Sequence, residues 1–201
     1  MRVVKSILLV AITLALAGCS GESSEAKRFA KLLTSRGRTL DSLSSQEASG
    51  MQQLRQWAGT QAMFGHGRAD ISGPLSPGQD QMDASREANR FSSQLAAFCQ
   101  GLGPLVQELR TYDLKTPVIQ TARSSLVQSL EGRLTLAQEL QLLLQDYGRG
   151  IVNPNLRYDQ RPASIDAIVN KTRDYRQPSN VVAQTIQDLR TKYSISDSDL
   201  Q

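Results

Sequence analysis

The sequence predicts an all-α protein, and more specifically an elongated four-helix bundle of the up-down type. Two segments carry apolar residues at steps of three or four, and this average of 3.5 residues favours shallow, left-handed helix packing. Three arms of about 31 to 35 residues and a fourth, broken arm would each reach about 50 Å at 1.5 Å per residue. No stretch of five or more residues alternates polar and β-branched apolar side chains between turn signals, so strands are not expected.

The chain opens with the pattern of a secretory leader. Arg2 and Lys5 supply a short basic region, an apolar core covers 7–15, and small residues precede Cys19. The apolar run is shorter than the roughly 20 residues that a membrane-spanning helix needs, which disfavours a signal anchor. We predict a signal peptide over 1–18.

The tetrapeptide Leu16-Ala17-Gly18-Cys19 resembles the lipobox of bacterial lipoproteins. This resemblance implies a thioether-linked diacylglycerol on Cys19, cleavage before it, and acylation of the new amino terminus, for example with palmitate. Ser20 follows the cysteine. In Gram-negative lipoproteins the absence of Asp at that place implies export to the periplasmic face of the outer membrane. A cleaved leader without lipid is the alternative.

A short tether and a first helix follow the anchor. Residues 19–24 are small and polar, and even fully extended they would reach only about 20 Å. The bundle domain is expected over 25–193, and its first helix, continuous or broken once, over 23–57. Its apolar stripe consists of Ala26, Phe29, Leu33, Leu40, Leu43, Met51, Leu54 and Trp57.

The periodic pattern stops between 58 and 79, where Gly and Pro recur and no apolar stripe continues. Loops of this length on a rigid support often carry binding residues, so this segment is the predicted contact surface for a partner. The alternative is a lid on the end of the bundle that binds nothing. The candidate contact residues are Met63, Phe64, His66, Ile71 and Leu75.

The second helix is predicted to start at Asp80, with a kink near Pro104, because proline cannot donate to the carbonyl four residues earlier. Thr116-Pro117 reads as an N-cap followed by proline in the first turn of the third helix. The stripe of the second helix contains Ala84, Ala88, Phe91, Leu95, Phe98, Leu102, Leu105, Leu109 and Tyr112.

The third helix is predicted over 117–147, with Gly148 as its C-terminal stop. Its stripe contains Ile119, Ala122, Leu126, Leu130, Leu134, Ala137, Leu140, Leu144 and Tyr147. It also carries apolar residues off that stripe, which indicate either the most buried helix or an exposed strip that docks a partner. These are Val127, Leu136, Leu142 and Leu143.

The fourth arm is predicted as two short helices separated near Pro178, and it follows an irregular connection at 150–161. Apolar residues at helical spacing start at Ile165 in the first piece and at Val182 in the second. Residues 194–201 read as a polar tail.

Composition excludes several classes of function. Without the leader, the chain has 21 basic and 19 acidic side chains, a net charge of +2 with no basic cluster, so no nucleic-acid partner is expected.

Cys99 has no partner for a disulfide if Cys19 carries lipid. We expect Cys99 to be a buried apolar residue, with an intermolecular disulfide or a reactive thiol as the alternatives.

No motif predicts catalysis or a cofactor. His66 is the only histidine, it lies between two glycines, and no metal-binding spacing accompanies it, so neither a metal nor a cofactor is expected. A hydrolase built from His66, Asp70 and a serine is disfavoured, because a glycine-flanked loop holds catalytic geometry poorly.

The sequence therefore predicts a non-enzymatic lipoprotein that acts as an accessory, scaffold or interaction module and contacts an envelope protein. The alternative is a carrier or sensor of a small apolar ligand, bound in the bundle interior or beside Gly101–Pro104.

Overall fold

The structure of the chain is a computed structural model. It describes the backbone of residues 2–65, 77–151, 165–175 and 181–200, and the side chains of these ranges except 2–20, 64–65, 77–81 and 150–151. The described residues form five α-helices, one 3₁₀ turn and no strand, which confirms the all-α prediction. The helices are α1 (Arg2–Gly65), α2 (Pro77–Thr111), α3 (Pro117–Ile151), α4 (Ile165–Asp174) and α5 (Val181–Tyr193).

The helices form a bundle in which the packing of α2 on α3 dominates. The chain divides into two compact units, which are described separately below. Unit 1 consists of residues 1–39, 108–129 and 180–201, and unit 2 consists of residues 40–107 and 130–179. Helices α1, α2 and α3 each contribute to both units, α4 belongs to unit 2, and α5 belongs to unit 1.

The core of unit 1 is apolar and begins with the predicted stripe of α1. Phe29 and Leu33 are fully buried, and the ring of Phe29 lies 5.8 Å from that of Tyr112, centroid to centroid. Burying side chains of this size contributes about 1.5–3 kcal/mol each before entropic costs. The other buried apolar residues of unit 1 are Ala26, Ala30, Leu109, Leu114, Ile119, Leu126, Val127, Leu189 and Ile195.

The predicted start of α3 is confirmed, with Thr116 before the first helical residue, Pro117. The Gln120 N–H donates to the Thr116 carbonyl at 3.0 Å, the first bond of the helix. The carboxylate of Glu25, only 5% exposed, accepts the N–H groups of Lys115 and Thr116 and the Thr116 hydroxyl. A buried carboxylate at a helix N-terminus is stabilised by these donors and by the helix dipole.

The predicted tether is partly wrong, because residues 21–24 continue α1 as helix. Glu25 and Ala26, which follow directly, are buried, and Glu25 is held by α3. Fixing these side chains fixes the helical backbone that carries them, so the small and polar residues 21–24 extend α1 instead of forming a flexible link.

The predicted polar tail is also wrong as a description of residues 194–200. Ser194 adopts a positive φ of 50°, and the Ile195 N–H donates to the Arg190 carbonyl at 3.1 Å. This is the Schellman arrangement that ends a helix, here with serine where glycine is usual. It turns Ile195 inward, where it is 4% exposed, and Asp199 pairs with Lys27 at 3.0 Å.

The core of unit 2 follows the predicted stripes with one shift. In α2 the buried residue after Leu102 is Val106, not the predicted Leu105, which is half-buried. An α-helix has 3.6 residues per turn, so a step of four after several heptads keeps the stripe on one side. Trp57 packs on Phe91 and Tyr147, with ring centroids 5.5 and 5.8 Å apart.

The first helix is longer than predicted and includes the beginning of the predicted loop. Residues 58–65 belong to α1 and residues 77–79 to α2, whereas 66–76 lie outside the described residues. Ala58 is fully buried and continues the stripe of Met51 and Leu54 at steps of three and four. The burial of Leu54 and Ala58 together outweighs the roughly 1 kcal/mol by which a helical Gly59 is disfavoured.

The third helix does not stop at Gly148 but continues to Ile151. The Ser85 hydroxyl donates to the Gly148 carbonyl at 2.9 Å, and a Cβ on Gly148 would lie 3.2 Å from the Asn89 Oδ1 atom. This close contact with α2 holds the last turn of α3 in place. Helix α2 runs through Pro104 without interruption, and Pro178 lies outside the described residues.

The off-stripe apolar residues of α3 do not form a continuous exposed strip. In unit 1, Val127 is buried. In unit 2, Leu136 and Leu143 are half-buried, and Leu142 is 60% exposed. Among the described residues, no helix is long and apolar enough to cross a membrane.

Candidate functional site

Unit 2 contains a cleft of about 520 Å³ between α1 and α2. Four buried apolar side chains, Leu54, Phe91, Leu95 and Phe98, form part of its wall, and exposed polar residues form its rim. A volume in this range and an apolar inner wall are typical of small-molecule sites, although half of the twelve lining residues here are polar. The remaining lining residues are Ser45, Gln46, Glu47, Ser49, Gly50, Gln53, Gln94 and Ala97.

The surroundings of Gly50 and Gly101 show where there is open space beside these helices and where there is none. A Cβ on Gly50 would meet only the Gln94 Oε1 atom, at 3.9 Å, so the space beside Gly50 is open. A Cβ on Gly101 would lie 2.8 Å from the Leu43 Cδ2 atom. Leu43 of α1 therefore fills the space at Gly101, whereas a Cβ on Gly103 would meet no atom within 4 Å.

A buried ion pair lies at one wall of the cleft. Glu47 of α1 accepts from Arg133 of α3 through a single oxygen, Oε2, at 2.9 Å from Nε and in a closer contact with Nη2. The Glu47 side chain is 2% exposed and that of Arg133 is 17% exposed. Arg133 also donates to the Ser44 hydroxyl at 3.1 Å, and its guanidinium carbon lies 5.7 Å from the Phe98 ring centroid.

Burial dominates the electrostatics of this cluster. Desolvation, opposed by the hydrogen bonds and charge of Arg133, raises the pKa of Glu47. Desolvation and the charge of Glu47 raise the pKa of Cys99, which is half-buried. Desolvation is also the largest cause that raises the pKa of Tyr175 to about 12. The Tyr175 hydroxyl is buried without a hydrogen-bond partner among the described residues.

Arg55 ties α1 to the end of α4 on the same side of unit 2. Its Nε donates to the Thr172 carbonyl at 2.8 Å, its Nη2 donates to the carbonyls of Thr172 and Tyr175, and its guanidinium lies 5.5 Å from the Tyr175 ring centroid. Carbonyls at a helix C-terminus lack partners within the helix, and a cation is favoured there. Arg55 therefore positions α4 and Tyr175.

The structure describes only part of the predicted contact residues. Met63 lies on α1, in helix and not in a loop, and is 77% exposed. Phe64 has a helical backbone, and its side chain lies outside the described residues, as do His66, Ile71 and Leu75 altogether. Cys19 falls within α1, and its side chain is not among those described.

Sequence reasoning missed the ion pair, although a signal for it was present. Glu47 lies one heptad after Leu40 and one before Leu54, and Arg133 lies three residues after Leu130, all on buried stripes. A charged residue at a position where the heptad demands an apolar one indicates a buried, paired charge. The predicted stripe used Leu134 in place of Arg133, and Leu134 is only half-buried.

The described part of the chain adds no candidate metal-binding residues to those considered from the sequence. Within it, no three His, Cys, Asp or Glu side chains are placed to hold a metal ion. His66, on which the disfavoured hydrolase hypothesis depends, lies outside that part. Comparison with known proteins found no matching family model, curated protein or solved structure.

Proposed function

We propose that this chain is a lipid-anchored envelope protein that acts as a non-enzymatic accessory, scaffold or interaction module. The observation that carries the proposal is Leu16-Ala17-Gly18-Cys19 at the end of an apolar leader core. The lipid on Cys19 would insert into a bilayer, and each buried methylene group would contribute about 0.8 kcal/mol to anchoring.

The start of the mature chain supports close attachment to that membrane. Helix α1 continues from Cys19 through Gly21 without a break, and Glu25 is bonded to the start of α3. At 1.5 Å per helical residue, unit 1 would lie within about 10 Å of the anchor. Ser20 supports the periplasmic face of the outer membrane if the cell is Gram-negative.

The anchor is tested by replacing each of the two cysteines of the sequence in turn. Cys19→Ser should abolish incorporation of a labelled fatty acid, because an oxygen does not replace the sulfur of the thioether. Cys99→Ser, which removes the other cysteine, should leave the label unchanged. Label that persists in Cys19→Ser would reject the lipoprotein proposal.

The partner is proposed to be an envelope protein that contacts the segment after α1. Met63 is an exposed apolar side chain at the end of α1, 77% accessible, and candidate contact residues follow it in 66–76. Replacing 66–76 with a Gly-Ser linker of equal length should keep the melting temperature within a few degrees. The same change should remove envelope proteins that co-purify from detergent-solubilised membranes. Retained partners would reject this contact site.

The finer architecture also belongs to the proposal. We propose four arms in up-down order, in which α4 and α5 together form the fourth, with a bend in α2 near Pro104 and a break near Pro178. The 3.5-residue stripes support it. Small-angle scattering of the lipid-free mature chain would test the expected elongation, and a compact profile would contradict it.

A second candidate function, carriage or sensing of a small apolar ligand, is favoured by the cleft between α1 and α2. Gly50→Leu should fill the cleft and abolish binding of a fluorescent apolar probe such as anilinonaphthalene sulfonate. Gly59→Leu is the matched control, because a Cβ at Gly59 meets no atom within 4 Å and Gly59 does not line the cleft. Equal binding by both variants would reject the cleft as the site.

A further inference from the structure

Between Arg28 and Arg38, the exposed charged side chains of α1 are all positive. Arg28, Lys31 and Arg38 are exposed, and steps of three and seven residues place them on one side of the helix. That side lies opposite Phe29 and Leu33, which are fully buried in the core of unit 1. We call these three residues the basic face.

The other two cations on this part of α1 are paired within unit 1, and Glu22, nearer to Cys19, is exposed. Lys27 pairs with Asp199 at 3.0 Å, and Arg36 pairs with Glu108 at 2.8 Å. The Glu25 carboxylate faces inward, towards the start of α3. Against burial, which raises it, hydrogen bonds from Thr116 and Lys115 and the charge of Arg28 lower the pKa of Glu25. The basic face nevertheless forms no ion pair with any residue that the structure describes in unit 1.

Charge is also distributed unequally between the two units. From Cys19 onward, unit 1 contains ten Lys and Arg against seven Asp and Glu, a net charge of +3. Unit 2 contains eleven against twelve, a net charge of −1. The positive charge of the mature chain thus resides in the unit that begins with the proposed lipid anchor.

We propose that the basic face lies against the phosphate groups of an anionic phospholipid surface, so that this part of α1 lies along the membrane. The inference rests on the proposed lipid anchor at Cys19. The three cations follow Gly21 by seven, ten and seventeen residues, or about 10 to 26 Å along the helix. An anchor two residues before Gly21 holds them within reach of the lipid headgroups.

The anchor and the basic face would make two separate contributions to membrane binding, attachment and orientation. An acyl anchor fixes the distance of the protein from the bilayer but leaves unit 1 free to rotate above it. Cations near an anionic leaflet are attracted to it over about a Debye length, 8 Å at physiological salt. The basic face would therefore set the orientation of unit 1, and with it the surfaces that remain open to a protein partner.

The test measures how accessible Lys31 is on two membranes. The lipidated chain is reconstituted into vesicles of phosphatidylcholine alone or with about 30% phosphatidylglycerol, and a water-soluble acylating reagent modifies exposed amines. Mass spectrometry gives the rate at Lys31 relative to Lys171 of unit 2. We expect Lys31 to react at least ~10-fold more slowly on the anionic vesicles, and the difference to disappear at about 0.5 M NaCl.

Two double variants with the same change in net charge provide the control. Arg28→Gln/Arg38→Gln removes two cations of the basic face and should abolish most of the protection of Lys31. Arg86→Gln/Arg90→Gln removes two exposed cations of α2 in unit 2 and should leave the protection intact.

The possible failures are distinguishable. Equal reaction of Lys31 on both vesicles, with the protein still attached to them, would overturn the basic face and leave the anchor standing. Equal loss of protection in both double variants would also overturn it, because net charge alone would then suffice. A chain that does not float with neutral vesicles would reject the anchor and this inference together.

Discussion

Replacing Arg133 with methionine should destabilise unit 2 far more than replacing its partner Glu47 with glutamine. Arg133→Met leaves a carboxylate that is 2% exposed without its cation, and removing one partner of a buried pair costs about 3–5 kcal/mol. Glu47→Gln leaves a guanidinium that still reaches water, at 17% exposure, and still contacts Phe98. Losing the negative charge that accepts the Arg133 hydrogen bonds should cost only about 1–3 kcal/mol.

The double variant Glu47→Leu/Arg133→Met measures what the ion pair itself contributes to stability, apart from the cost of leaving one charge unpaired. Apolar residues in place of a buried ion pair are often neutral or stabilising by about 1–4 kcal/mol, so the double variant should be at least as stable as either single variant. Urea unfolding followed by fluorescence is the assay. Trp57 is the only tryptophan, and it packs between Phe91 and Tyr147 within unit 2.

The pH dependence of Arg133→Met follows from the sign of the Glu47 shift. Burial raises the pKa of Glu47 in the folded state even though Arg133 opposes the rise, and Arg133→Met removes that opposing contribution. The stability that Arg133→Met loses should therefore decrease as pH falls from 7 towards 4.5, the ordinary pKa of a glutamate. Single variants that each cost less than about 1 kcal/mol and add in the double variant would refute the idea of a buried, coupled pair.

Two further predictions test the core and the end of the chain. Leu130→Asp, at a site 2% exposed, should abolish the helical circular dichroism of the lipid-free mature chain, because burying a carboxylate costs several kcal/mol; an unchanged melting curve would contradict the core assignment. Hydrogen bonds from the Ser196 backbone and from Lys27 lower the pKa of Asp199 to about 2. The contact of Asp199 therefore stabilises the folded tail above about pH 4 and is lost as pH falls through about 2. The Ser196 amide signal in NMR should titrate near pH 2 and not near 3.8, and Asp199→Asn should abolish that titration.

The helical arms were predictable because their apolar periodicity is a direct consequence of burial. The predicted stripes on α2 and α3 give most of the buried residues of those helices, and Thr116-Pro117 marks the start of α3 correctly. The helix ends were not predictable in the same way. Gly59 and Gly148 signal stops locally, but packing of Ala58 and the contact of Ser85 with Gly148 extend both helices.

The candidate site was predictable only in part, because its polar residues break the pattern used to find the core. Glu47 and Arg133 occupy stripe positions, yet a scan for apolar residues passes over them. The tail was missed because Ser194 takes the left-handed conformation that usually identifies glycine. Met63 was predicted as a contact residue, and its exposure agrees with that role, but the helical backbone beneath it was not foreseen.

Mass spectrometry of the amino terminus of the protein purified from membranes tests whether Cys19 carries lipid. We expect a chain that begins at Cys19, with the mass of a diacylglycerol on its sulfur and a fatty acid on its amino group. A chain that keeps Met1, or one that is cleaved and carries no lipid on Cys19, would contradict it.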